Sequence, residues 1–294
     1  MINFHKFGFL DCKRLKNYLT DSYSYLCEYN PVWLFVNSDY YKPEISFTNE
    51  WCFIRYKIPE LGLIYFPPIG NGDHLDMVLL DLEEDSKEAG YEFLLGPILE
   101  KDIIKYKPLG IKLYENEKLN TYIYMSDNLS VLSSKIKKYK KACKTFEFMH
   151  KDAYLKKIKK EDFPRLIEYL SKYRESANID NSDLTFYPKL NILKKCMEHL
   201  YELDIMGVVL EDEEKIYGFA LGSIMDNTCH MYLNFGLEDE VGAYAEVIMG
   251  FAKYAAAKAK YMAFYGYVND NKLKEKLDEL KPLRVEKHFA TYNI

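Results

Sequence analysis

MGVVLEDEEKIYGFALGSIMDNTCHMYLNFGLEDEVGAYAEVIMGFAKYAAAK, residues 206–258, decides how the rest of the chain is read. Met206 to Glu211 is a short apolar run, and Asp212 to Glu214 is polar enough to turn. Lys215 to Met225 alternates, with Tyr217, Phe219, Leu221 and Met225 on one face. Asp226-Asn227 is a two-residue connection of the type that tolerates positive φ, so the spacing predicts a hairpin. Thr228 to Leu237 alternates again through Met231, Leu233 and Phe235. From Tyr244 the period changes to that of a helix, through Val247, Ile248, Phe251 and Ala255.

Around this stretch the spacing predicts further elements. A strand at Tyr154 to Ile158 comes first. A helix capped by Asp162 follows, with Pro164 in its first turn, and then a helix through Leu190, Leu193, Met197 and Leu200. After it come a strand at Tyr261 to Tyr267, a helix at Asn271 to Leu280 and a strand at Arg284 to Tyr292. The order β-α-α-β-β-β-α-β-α-β is that of the GNAT acyltransferase fold. The front of the chain predicts helices within residues 11–35 and strands at Phe47 to Tyr56 and Leu61 to Phe66. It then predicts a helix at Gly72 to Ala89, a strand at Tyr91 to Leu95, a helix at Ile98 to Tyr106 and a strand at Thr121 to Met125. That order is a second, degenerate copy of the same pattern. The expected class is therefore α+β, two tandem GNAT-like domains, each a mixed, mostly antiparallel sheet flanked by helices. The expected boundaries are 1–125 for the first, 126–150 for a basic connecting helix and 151–294 for the second.

A length of 294 residues suits two domains, and 48% hydrophobic content supports sizeable cores. No apolar run approaches the length of a membrane span. Six cysteines lie far apart with no C-x-x-C pair, which suggests free thiols in a reducing cytoplasm. The six histidines show no metal-site spacing. His230 and His288 fall on predicted strands, where a structural role is expected.

Charge is segregated. Between Lys135 and Lys160 stand eleven lysines and two acids, a local +9 in a chain of net −5. Leu129, Leu132, Ile136, Tyr139, Cys143 and Phe146 recur as one helical stripe. Lys137, Lys138, Lys140, Lys141 and Lys144 fall in an arc of roughly 160° beside it. Such a helix is either a lysine-rich linker or a platform for an anionic partner such as tRNA, a nucleotide or lipid headgroups. The helix at 72–89 carries Asp73, Asp76, Asp81, Glu83, Glu84, Asp85 and Glu88, either as a solvated face or as a binding surface.

An acetyl-CoA-binding GNAT offers backbone N–H groups to a pyrophosphate at the start of its central helix. Here Gly242, Ala243 and Tyr244 stand at that start, behind Glu238, Asp239 and Glu240. Three acids suit the helix dipole but repel a pyrophosphate, which weighs against acetyl-CoA as donor.

Tyr41-Lys42-Pro43-Glu44, Tyr65-Phe66-Pro67-Pro68-Ile69-Gly70, the lysine-rich helix, Gly218-Phe219-Ala220-Leu221-Gly222 and Gly242-Ala243-Tyr244 carry a resemblance over nearly the whole chain. Together they resemble the bacterial family related to the C-terminal domain of phosphatidylglycerol lysyltransferase. The resemblance implies a tandem GNAT pair and kinship with enzymes that move an aminoacyl group from charged tRNA to an amine or a lipid hydroxyl. A basic surface then suits tRNA, and a small molecule or lipid headgroup is the expected acceptor. The chain departs from the family where Asn234-Phe235 replaces Glu-Lys and where Ala263 to Tyr267 carries no charge. The candidate catalytic residues are Asn234, Tyr265 and Tyr267: asparagine to orient a carbonyl, tyrosine to donate to a leaving group. The candidate substrate-binding residues are the five lysines, Gly242, Ala243, Tyr244 and Asn269. The alternative is a non-catalytic binding module that kept the fold and lost its acid–base groups.

Overall fold

The computed structural model describes residues 2–19, 26–58, 61–70, 72–131, 136–176, 187–265 and 271–292. The chain forms two compact units. Met1–Thr121 and Val285–Ile294 belong to the first, Tyr122–Tyr265 and Asp270–Arg284 to the second.

In the first unit, strands Glu44–Phe47, Trp51–Ile58 and Gly62–Tyr65 pair antiparallel, and helix Leu75–Glu88 follows. The chain then returns as Leu94–Leu95, parallel to Gly62–Tyr65. Alternation sorts the long strand. Trp51 and Phe53 join Leu79 and Leu82 of the helix in one core cluster. Tyr56 packs instead on Phe66 and Tyr41, at ring-centroid distances of 5.1 and 5.6 Å. Arg55 sits among charges: its Nε donates to Glu44 at 2.7 Å and its Nη1 pairs with Asp85, which also accepts from the Tyr65 hydroxyl. Asp85 is thus drawn inward, whereas Asp76, Asp81, Glu84 and Glu88 of the same helix face solvent.

Three local expectations change here. Of the strand expected at Tyr91 to Leu95, only Leu94–Leu95 pairs. The helix expected from Ile98 begins at Ile103, after a 3-10 turn at Glu100–Asp102. Ile98–Leu99 is a strand, because His288–Ala290 pairs with it. The last predicted strand is accordingly two, Arg284–Glu286 and His288–Ala290. A partner so remote in sequence leaves no mark on local periodicity.

In the second unit the quoted stretch folds as read. Met206–Glu211, Ile216–Met225 and Thr228–Gly236 form an antiparallel meander, with Asp226 at φ 51° in the turn. The central helix, Ala243–Ala256, follows, and Tyr261–Tyr265 runs parallel to Thr228–Gly236. Tyr154–Lys157 extends the sheet beside Met206–Glu211, and Thr121–Met125 lies beside Tyr261–Tyr265. The central helix buries Val247, Ile248, Phe251 and Ala255. Burying a side chain such as Phe251 stabilises by about 1.5–3 kcal/mol. The sheet meets this helix with small residues. A Cβ on Gly218 would lie 2.9 Å from Val247 Cγ2 and 2.4 Å from the Phe235 carbonyl oxygen. Both units therefore carry the run β-β-β-α-β with a parallel closing strand, and the fold is α+β.

The lysine-rich stripe is not one helix. Ser126–Ser130 forms a short helix and Lys137–Met149 the basic helix. The Ser130 hydroxyl donates to the Asp127 carbonyl at 2.8 Å, a local bond that competes with helix continuation. Leu129, Ile136, Tyr139, Cys143 and Phe146 are buried as the stripe requires; Leu132 lies outside the described residues. Among the described residues no helix is long and apolar enough to cross a membrane. The six cysteines are buried and form no disulfide.

Candidate functional site

Among the described residues, pairing of the second unit's parallel strands runs from Thr228 with Tyr261 to Met231 with Phe264, while Thr228–Gly236 is paired on its other side as far as Gly236. Tyr232 to Gly236 lie beyond the last described parallel pair. Ligands in open sheets collect where neighbouring strands part at their carboxyl ends.

Asn234 stands on this segment. Its amide hydrogen-bonds the Tyr244 hydroxyl, and its Oδ1 is buried with no hydrogen-bond partner among the described residues. A buried acceptor left unmatched costs about 1–3 kcal/mol, so a ligand N–H or O–H is favoured there. Tyr244 is itself deeply placed. Burial first, then the neighbouring Tyr139 and Tyr173 phenols, pushes its ionisation far above the ordinary range. Burial, then Glu279, does the same for Tyr139. The Tyr139 hydroxyl donates to the Lys276 carbonyl at 3.3 Å, and the Lys276 ammonium lies 5.1 Å from the Tyr244 ring centroid. The groups beside Asn234 are therefore phenols that stay protonated at neutral pH, with one cation against a ring face.

The start of the central helix is covered. Gly242 has φ 98°, and a Cβ on it would lie 2.2 Å from the Ala142 carbonyl oxygen and 2.9 Å from Phe146 Cβ. Ala243 is fully buried. The basic helix thus crosses this helix start with its backbone, and glycine is required for the close approach. Its outer face carries Lys137, Lys138, Lys140, Lys141 and Lys144, all exposed; Lys138 pairs with Glu279. The Tyr265 side chain lies outside the described residues, as do Tyr267 and Asn269.

Two groups escaped the sequence reading. Glu246, one turn into the central helix, is 5% exposed, with Oε1 lacking a partner among the described residues. Burial raises its pKa, and the Cys143 thiol of the basic helix hydrogen-bonds it. A single carboxylate among Ala245, Val247 and Ile248 was the visible signal. His150 ends the basic helix, bonding Glu240 through Nε2 at 2.8 Å and the Tyr217 hydroxyl through Nδ1 at 3.0 Å. Glu240 also pairs with Lys215, and Tyr217 donates to Asp212. This network ties the loop before the central helix to the basic helix. Only the folded contact joins these residues; no spacing links them.

The family described as phosphatidylglycerol lysyltransferase, C-terminal, matches residues 22–269. The chain belongs to that family. A Bacteroides thetaiotaomicron protein of unknown function superposes with TM-score 0.89 at 20% identity, over 99% of both chains. L-PGS from Bacillus licheniformis gives 0.65 at 13% identity, over 95% of this chain and 90% of that one. FemX gives 0.58 at 9% identity, over 99% of this chain and 97% of that one. At these identities the likeness is one of fold. No curated protein matches the sequence.

Proposed function

We propose that this phosphatidylglycerol lysyltransferase-family chain is an acyl-group transferase whose donor is an aminoacyl ester of tRNA and whose acceptor is an amine or hydroxyl. The observation that carries this reading is Asn234 Oδ1, a buried acceptor without a partner among the described residues, on the strand segment beyond the last described parallel pair. In such a transfer the acceptor nitrogen or oxygen bonds the ester carbonyl carbon. The bond to the tRNA ribose oxygen breaks, and that oxygen takes up the acceptor's proton. Asn234 Oδ1 would hold the acceptor's N–H or O–H in line, and the neutral Tyr244 phenol fixes the Asn234 amide. The ester is already activated, which suits neighbouring protonated phenols. The exposed lysines of the basic helix offer diffuse attraction to tRNA phosphates. The acids before the central helix and the covered Gly242 weigh against an acyl-CoA pyrophosphate there. The buried, unbridged thiols accord with a reducing cytoplasm.

The test is incubation with charged tRNAs and with acyl-CoAs, scoring donor loss and product. Transfer from charged tRNA is expected, falling about 10²-fold in Asn234→Ala. Combined Lys137, Lys138, Lys140 and Lys141→Glu should weaken tRNA binding and flatten its salt dependence. Absence of both transfer and binding overturns the reading. The second reading, a binding module without catalysis, draws on the phenols beside Asn234: Tyr244, which bonds its amide, and Tyr139 stay protonated at neutral pH and offer no general base. It predicts that tRNA binds while its ester stays intact.

A further inference from the structure

The first unit holds a cavity of about 300 Å³ that the transfer chemistry does not use. It lies where that unit's own parallel strands part. Gly62–Tyr65 and Leu94–Leu95 are joined as far as the Gly96 N–H bond to the Tyr65 carbonyl, at 2.9 Å. The segments leaving the two strands, Pro67 and Pro68 on one side and Pro97 on the other, line the space. Tyr29, Trp51 and Tyr106 supply flat apolar walls. The motif Pro67-Pro68-Ile69-Gly70 thus acquires a place: it lies along a cavity at the sheet's carboxyl edge.

Charge enters the lining at two side chains, Asp102 and Lys105. They stand one helical turn apart with Oδ1 and Nζ 2.7 Å from each other, the lysine well exposed. The lining therefore carries one charge of each sign, side by side, at an otherwise aromatic and proline-rich hole. A fatty acid or another simple anion would meet Asp102 as well as Lys105. A polyphosphate would find one cation already neutralised. A molecule with a carboxylate and an ammonium on adjacent atoms can meet both charges, exchanging their mutual pair for two charge-assisted bonds. Its apolar remainder would enter the aromatic walls. Ligand pockets start at roughly 300 Å³, so this one has room for one small molecule and not for a nucleotide.

We propose that the first unit binds a free zwitterionic α-amino acid with an apolar side chain, its ammonium on Asp102 and its carboxylate on Lys105. This proposal does not depend on the transferase reading.

Trp51 makes it measurable, because the chain has only two tryptophans and Trp33 does not line the cavity. L-leucine, which does not fluoresce, should change Trp51 emission in the Trp33→Phe chain and raise the melting temperature of the unaltered protein. Isopentylamine and 4-methylpentanoate each lack one of the two charges and should bind about tenfold more weakly. Asp102→Asn and Lys105→Gln, both at solvent-accessible positions, should each weaken L-leucine by about the same factor with unchanged circular dichroism. Leu75→Phe, which adds bulk at the cavity wall, should abolish the emission change. Absence of any L-leucine effect up to tens of millimolar, on the order of the weakest specific ligands, overturns the proposal. So does binding of the two single-charge analogues as tight as that of L-leucine.

Discussion

Helix Leu75–Glu88 of the first unit and helix Ala243–Ala256 of the second follow the same three antiparallel strands and precede the same parallel one. Each is approached through a left-handed residue, His74 at φ 63° and Gly242 at φ 98°. What meets each helix start differs. Gly72 and Leu75, at the first, line a cavity. Gly242, at the second, lies under the backbone of the basic helix. One backbone plan therefore serves two ends, and the neighbouring segment decides which. His74 is tolerated because its side chain is exposed, whereas Gly242 has no space for any side chain.

The contrast can be broken most directly at Gly242. Gly242→Val adds left-handed strain and a clash with Ala142 and should cost about 3–4 kcal/mol in urea unfolding. A cost below about 1 kcal/mol would mean that the basic helix does not need this close approach.

Acid should separate the units next. His288 in the first unit is fully buried, and burial pushes its pKa down to about 3. The unfolded chain binds that proton below about pH 6.5 and the folded chain does not until about pH 3. Stability is thus complete above the unfolded value and falls as pH drops, by up to about 1.4 kcal/mol per pH unit. His288→Phe should remove this slope from urea unfolding between pH 6.5 and 4.

Glu246 in the second unit works in the opposite sense. Its folded pKa is raised, so its contribution is best in acid and is lost as pH rises through the folded value. Glu246→Gln should therefore raise the urea midpoint at pH 7 and change it little at pH 4. Equal gains at both would separate the effect from ionisation.

The smallest expected change is His74→Gly. It relieves a left-handed non-glycine residue at the cost of unfolded-state entropy, and should fall within about 1 kcal/mol of neutral.

Much of the second unit was legible because its elements are long and periodic. Met206–Glu211 has the bounds read from sequence, and Asp226 adopts the positive φ that its turn demands. The short strands of the first unit were harder. Ile98–Leu99 reads as part of a helix until His288–Ala290 claims its ladder. At the candidate site, Asn234 was singled out because Asn234-Phe235 stands where the resembled family carries Glu-Lys. Glu246 was passed over because local spacing does not tell a buried carboxylate of a helix from a solvated one. The Gly242–Ala142 contact could not be read at all, since a backbone-to-backbone approach writes only a glycine into the sequence.

The cysteines are shared evenly: Cys12, Cys27 and Cys52 lie in the first unit, Cys143, Cys196 and Cys229 in the second. Burial makes each thiol reluctant to ionise, with Cys12 and Cys229 both pushed up to about 12. An alkylating reagent should therefore modify them only as their surroundings come apart. The protein carries two built-in sets of clocks, and peptide mapping of the alkylated sites would time each half's opening without any introduced label.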